Sequence, residues 1–167
     1  DCSGAIAALE ACTSLKDKNI LILGAGGTAK AIGYGVKQKG GKLTITYNRN
    51  KEKGENMAKE LGCELIHCRD AGTQSIDILI NCSPVGMNPN INESPFLARD
   101  FKEGMVVFDS VYNPLETKFL REAKAAGCKV IPGSELFINQ AARQFELFTG
   151  QPAPIDIIRE VLMKKLN

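Results

Sequence analysis

Short, continuously apolar runs alternate along the chain with longer segments whose apolar positions recur every three to four residues. Asn19-Ile-Leu-Ile-Leu23 is apolar throughout and ends in glycine, as a strand buried on both faces should be. Residues 42–47 (KLTITY) show β-branched alternation and predict a second strand. Residues 64–67, 76–80, 105–108 and 129–131 supply further strands. Residues 28–38, 51–61 and 117–126 read as helices, halted by Gly40-Gly41, Gly62 and Gly127. A helix over 6–15 precedes the first strand, and amphipathic helices over 135–149 and 155–166 close the chain. Alternating strands and helices with short connections predict an α/β fold, a doubly wound parallel sheet covered on both faces.

Composition bounds this picture. The 167 residues fit one domain, 1–167, able to bury a core without disulfides or metal. Twenty-one Lys and Arg against nineteen Asp and Glu leave a net charge of +2, which argues against nucleic acid as a partner. No apolar run is long enough to span a membrane, so no membrane association is expected. The N terminus shows no signal peptide, and a chain opening on Asp1 is expected to be trimmed from a longer one. Six cysteines are scattered without a C-x-x-C pair, and His67 is the only histidine. Cys63, His67 and Cys68 are too few and wrongly spaced for structural zinc, so no metal is expected. Reduced thiols in a cytoplasmic protein are the plain reading.

The first strand runs into Gly24-Ala25-Gly26-Gly27-Thr28-Ala29-Lys30, which fits G-x-G-x-x-A at Gly24, Gly26 and Ala29. Gly24 permits the tight turn, Gly26 presents no Cβ to a pyrophosphate, and Ala29 keeps helix close to strand. The free N–H groups opening the helix, at the positive end of its dipole, would accept phosphates. Alone the pattern marks only a strand-to-helix turn. Between a strand and a helix it meets the context of a Rossmann-like dinucleotide site.

The second strand indicates which dinucleotide. An NAD site wants an acid near the end of that strand, to hold the ribose 2′-hydroxyl. Here Tyr47-Asn48-Arg49-Asn50-Lys51-Glu52-Lys53 carries no acid before Glu52. Arg49, Lys51 and Lys53 suit a 2′-phosphate instead, and Arg49 can stack on adenine while bonding the phosphate. The expected cofactor is NADP. A merely solvated basic helix start is the competing reading, but those cations oppose the helix dipole unless an anion joins them.

These residues resemble a known family. Gly24 to Lys30, Asn48-Arg49, and Asn81-Cys-Ser-Pro-Val-Gly-Met87 are similar to shikimate dehydrogenase in order and spacing. So are Asp109-Ser-Val-Tyr112-Asn-Pro114-Leu-Glu-Thr117 and Gly133-Ser-Glu-Leu-Phe-Ile-Asn-Gln140. Residues 144–154 most resemble the form fused behind 3-dehydroquinate dehydratase in plants and some bacteria. The resemblance covers almost the whole chain and implies NADP-dependent reduction of 3-dehydroshikimate to shikimate, in aromatic amino acid biosynthesis.

Carried onto this sequence, it implies a phosphate loop of Gly24, Ala25, Gly26, Gly27, Thr28 and Ala29. Asn48, Arg49 and Lys53 would read the 2′-phosphate and adenosine. Asn50 stands where the family has Thr or Ser. Asn81, Ser83, Val85 and Met87 would form the loop around the nicotinamide ribose, and Gly133 would pack on the nicotinamide. Tyr112 and Gln140 would line its junction with substrate, the Gln amide offering donor and acceptor to a hydroxyl. Asp1 matches the acid that binds a substrate hydroxyl and pairs with a catalytic Lys of a preceding substrate domain. That domain is absent from these residues, and Lys16, Lys18 and Lys30 do not replace its Lys, so the fragment is expected to bind NADP without turnover. The implied partners are shikimate or 3-dehydroshikimate and the upstream domain of the same polypeptide. The compartment is cytoplasmic, or a plastid in a plant.

Two other readings use the same loop. One is another Rossmann dehydrogenase, acting on methylenetetrahydrofolate or as glutamyl-tRNA reductase; the other is a regulatory module that binds NADP without catalysis. The runs from Asp109 to Thr117 and from Gly133 to Gln140 count against the first. Tyr112 and Gln140, placed for substrate, count against the second.

Overall fold

The structure is a computed structural model that describes residues 2–166, and Asp1 lies outside the described residues. Its elements run α1 (Cys2–Glu10), β1 (Asn19–Leu23), α2 (Gly27–Gln38), β2 (Lys42–Tyr47), α3 (Lys51–Leu61) and β3 (Glu64–His67). Then follow β4 (Ile78–Asn81), β5 (Val106–Asp109), α4 (Lys118–Ala125), β6 (Lys129–Ile131), α5 (Gly133–Thr149) and α6 (Ile155–Leu166). The strands form one six-stranded parallel sheet in the order β3-β2-β1-β4-β5-β6. The fold is Rossmann-like, with the order reversing between β1 and β4, where such sheets open a crevice for ligands at their carboxyl ends.

The continuous apolar strands are explained by burial on both sides. Ile20 and Ile22 of β1, Ile78 and Ile80 of β4, and Val106 and Phe108 of β5 pack with α1, α2 and α3. Leu21, Leu23, Leu79 and Val107 face the other way, against Phe101, Phe119 and Leu120. Successive side chains alternate between faces, so a strand with two covered faces has no polar position to show.

Several boundaries differ from the expected ones. The first helix is Cys2–Glu10, not 6–15. Gly4 lets it approach α5: a Cβ there would meet the Gln140 N and Leu136 O at 3.2 Å. Turn bonds from Cys12 N and Thr13 N to the Leu9 carbonyl then end it, leaving Leu15 buried in a loop. The strands expected at 76–80 and 105–108 sit slightly later, at Ile78–Asn81 and Val106–Asp109. Asp77 stands at the entry to β4, its side chain accepting the Asn19 N–H at 2.8 Å and its backbone bonding Asn19 and Val106. Two 3-10 turns, Cys68–Thr73 and Ala98–Asp100, were not expected. Among the described residues no helix is long and apolar enough to cross a membrane, and no cluster could hold a metal. Cys12, Cys63, Cys68, Cys82 and Cys128 are free thiols.

Candidate dinucleotide site at the carboxyl edge of the sheet

The glycine loop leaves β1 through Gly24, whose φ of +114° lies in the region that only glycine adopts readily. A Cβ there would also touch the Cys82 carbonyl group at 3.4 Å, so β4 and the loop approach each other closely. The Gly24 N–H donates to the Thr46 hydroxyl at 3.0 Å, which ties the turn to β2. Thr46 is buried, a polar residue at a position where the strand pattern otherwise wants an apolar one. Sequence reasoning missed it, and that single polar side chain was the available signal.

Gly26 caps α2 with no side-chain bond to the helix. A Cβ on Gly26 or Gly27 would meet nothing within 4 Å, so the first N–H groups of α2 open onto free space. This arrangement can accept an anion. Ala29 is fully buried under the loop, Ala25 packs against the core, and Thr28 turns into a cavity described below. Lys30 pairs with Glu60 of α3.

Beyond β2, Asn48, Arg49 and Lys53 are exposed. Among the described residues neither Arg49 nor Lys53 takes part in an ion pair, whereas Lys51 reaches Glu55 at 3.5 Å. The three-cation cluster therefore reduces to two available charges. Asn50 caps α3, its side-chain oxygen accepting the Lys53 N–H at 2.8 Å. That cap leaves its amide N–H groups, and one acceptor position of the oxygen, for a ligand.

On the other side of the reversal point, Asn81 ends β4 with no exposure. Its amide donates to Asp109 Oδ1 at 2.9 Å and to the Val85 carbonyl at 3.4 Å. Its oxygen accepts Ser83 N–H at 2.9 Å and Ser83 Oγ–H at 2.7 Å. All four bonding positions of the amide are thus used internally. The Asn81 side chain, expected among the cofactor contacts, is thus buried and shapes the loop. Ser83 and Val85 are half-buried and Met87 is exposed along that loop.

Asp109 is fully buried at the end of β5. Burial pushes its carboxyl up to about 6, against the hydrogen bonds from Thr117, Val111 and Asn81 that favour the charged form. Burial and the Asp109 charge together raise the neighbouring Cys82 thiol. A carboxyl raised in the fold binds its proton more tightly there than in the unfolded chain. Stability should therefore fall as pH rises from about 4 to about 6, by an amount on the order of 3 kcal/mol from this group. Denaturant unfolding of wild type and Asp109→Asn at pH 4 and 7 checks this. The wild type should lose more stability than the variant between the two pH values, and parallel losses would contradict the assignment.

A cavity of about 170 Å³ is lined by Thr28, Ser110, Tyr112, Gly133, Leu136, Phe137 and Gln140. It brings the end of the glycine loop together with Tyr112, Gly133 and Gln140, residues far apart in the chain. Tyr112 packs on Phe137 with ring centroids 5.3 Å apart, and the residue is 43% exposed at the cavity rim. Gly133 has an internal reason to be glycine: a Cβ would lie 2.3 Å from the Val111 carbonyl oxygen and 2.9 Å from that of Asp109. Among the described residues, Arg49 and Ser83 are not part of the cavity's lining. A larger concavity of about 790 Å³ lies at the opposite, amino edge of the strands, between Lys42, Glu64 and Ser75. It includes none of the singled-out residues, and parallel sheets place ligands at the other edge.

The family model described as Shikimate / quinate 5-dehydrogenase matches residues 6–109, and that described as Shikimate 5'-dehydrogenase C-terminal domain matches 133–163. A shikimate dehydrogenase (NADP(+)) of Methanothermobacter thermautotrophicus is 37% identical over all of this chain and 62% of its own length. The chloroplastic bifunctional 3-dehydroquinate dehydratase/shikimate dehydrogenase of Arabidopsis thaliana is 35% identical over 98% of this chain and 30% of its own. A crystal structure of shikimate 5-dehydrogenase from Thermus thermophilus in complex with NADP(H) and shikimate superposes with a TM-score of 0.87, at 32% identity. It covers 98% of this chain and 61% of that one, so the chain spans less than two thirds of each of these relatives. With the glycine loop, the reversal point and the Asp109 to Gln140 segments all in the same order, the chain belongs to the shikimate / quinate 5-dehydrogenase family.

Proposed function

We propose that this chain is the NADP-binding domain of a shikimate dehydrogenase, catalysing NADPH-dependent reduction of 3-dehydroshikimate to shikimate within a longer polypeptide. The observation that carries this reading is the junction of Thr28, Tyr112, Gly133 and Gln140 around one cavity at the reversal point of the sheet. The NADP(H) and shikimate complex of the Thermus thermophilus relative supports it.

The residues fit the dinucleotide. Open space over Gly26 and Gly27 leaves α2 N–H groups for the pyrophosphate, and Arg49 with Lys53 offers unpaired cations to the 2′-phosphate. Asn48 and the Asn50 amide complete that end. The loop of Ser83, Val85 and Met87 would border the nicotinamide ribose, with Gly133 leaving the nicotinamide face free of a side chain. When bound, the cofactor supplies the hydride. Tyr112 and Gln140 then orient the substrate hydroxyls. Asp1, which enters on the family resemblance alone, would bind one of those hydroxyls and pair with a Lys from the remainder of the polypeptide. That Lys would hold the proton exchanged at the substrate oxygen.

The partner for this remainder is the exposed apolar surface of α5 and α6. Leu147 and Phe148 are 72% and 82% exposed, with Ile155, Ile157 and Val161 also outward. Such a surface suits cover by another domain. Fusion to a dehydroquinate dehydratase is supported by residues 144–154 and by the Arabidopsis relative. The compartment would be cytoplasmic, or a plastid in a plant.

The test is absorbance of NADPH on mixing NADP+ and shikimate. The 167 residues alone should give no turnover and the full polypeptide should give it. Turnover by the chain alone would overturn the missing-domain reading; none by the full polypeptide would overturn the reaction.

A further inference from the structure

The bonds around Asp109 form a connected set that the site reading does not use. Oδ1 accepts from Asn81 Nδ2 at 2.9 Å and from Val111 N–H at 3.0 Å, while Oδ2 accepts from Thr117 Oγ1–H at 2.6 Å. Thr117 in turn caps α4 by accepting the Leu120 N–H at 3.3 Å. Through Asn81 the carboxylate reaches Ser83 and Val85 on one side. Through Val111 it reaches the segment leading to Tyr112, whose Val111 carbonyl lies against Gly133. One buried side chain therefore links the loops after β4 and β5, and the start of α5.

A structural role alone explains this poorly. Burial raises the Asp109 carboxyl to about 6, so ionising it in the fold carries a cost that an uncharged side chain at this position would avoid. A buried titratable side chain that ties three segments beside a cavity it does not line is a candidate for a positioning role. Asp109 lines no cavity described above, so its effect must pass through the loops it ties together.

We propose that Asp109 is the positioning residue of the nicotinamide half of the site, holding the 83–87 loop and the Tyr112 segment in fixed register through Asn81 and Val111. This rests on the NADP reading above. It concerns only the half of the crevice over β4 and β5, because the adenosine half lies over β1 and β2. Loss of the carboxylate should thus act on one end of the cofactor and not on the other.

Two ligands separate the ends. NADPH spans both halves, whereas adenosine 2′,5′-bisphosphate engages only the half beyond β2. Affinities of the chain for each are measured by NADPH fluorescence and by calorimetry. Asp109→Ala should weaken NADPH about 10-fold or more, while the bisphosphate changes by less than about twofold. Asp109→Asn, which keeps an acceptor for Asn81 and Val111, should restore most of the NADPH affinity. Should Asp109→Ala fail to fold, Thr117→Val is read in its place, with a loss of about threefold for NADPH alone. Equal losses for both ligands, or no loss for NADPH, would overturn the proposal. A wild-type chain that binds neither ligand would overturn the NADP reading itself, a result distinct from either.

Discussion

Arg49→Ala should weaken NADPH by about 10- to 100-fold and leave NADH nearly unchanged, which removes the preference for the phosphorylated cofactor. The scale follows from one charge-assisted bond to a phosphate, about 1.5–3 kcal/mol, at 1.4 kcal/mol for each factor of ten. Arg49 suits the role because it is exposed and engages no carboxylate among the described residues. Its guanidinium keeps its full charge for a ligand. Lys51, by contrast, is partly neutralised by Glu55. Lys53 stays available, so Arg49→Ala with Lys53→Ala should lose more than Arg49→Ala. Fluorescence titration with both cofactors is the check. Equal weakening of NADPH and NADH would mean that Arg49 supports the fold of the β2 end and does not read the phosphate.

Gly133→Ala should destabilise the chain by about 3 kcal/mol, a large fraction of the stability of an ordinary domain. The added Cβ would sit 2.3 Å from the Val111 oxygen and 2.6 Å from its carbonyl carbon. These are backbone atoms and cannot swing aside as a side-chain end does. Either α5 retreats from β5 or the segment between Asp109 and Tyr112 shifts, and both routes disturb the wall carrying Tyr112 and Gln140. The readout is the denaturant midpoint, followed by NADPH affinity under conditions where the variant is folded. An unfolding free energy within about 0.5 kcal/mol of wild type would show that the backbone there is softer than its packing indicates.

Much of this fold is written locally. The β1 run is apolar because both faces are covered, and Gly24, Gly26 and Ala29 stand where a strand-to-helix turn over phosphate requires them. The ends of α3 were readable from Asn50, Lys51 and Gly62, whose cap residues act within a few positions of themselves. The start of α1 was not, because it depends on Gly4 meeting α5, more than a hundred residues away. The same limit applies to the site. Thr46 holding Gly24, and Asp109 holding Asn81 from 28 positions distant, are bonds between neighbouring strands, and strand order is not a local property. The family resemblance puts Asn81 among the cofactor contacts. Its burial shows why the motif needs that amide, which folds the following loop back on the strand.

Gly133 makes the same point from the other direction. Family resemblance gave it a reason outside the protein, a flat ring needing space. The structure adds a reason inside it, the Val111 carbonyl, and the two are compatible because one face of α5 meets β5 while the cavity lies beside it.

The central claim is that the carboxyl edge of this sheet binds NADP(H) through an anion cradle at α2 and cations beyond β2. Titrating the chain into NADPH, and separately into NADH, while following nicotinamide fluorescence tests it most directly. Saturable NADPH binding, at least about 10-fold tighter than that of NADH, is the expected result. No binding of NADPH up to millimolar cofactor, or equal affinity for the two, would contradict it.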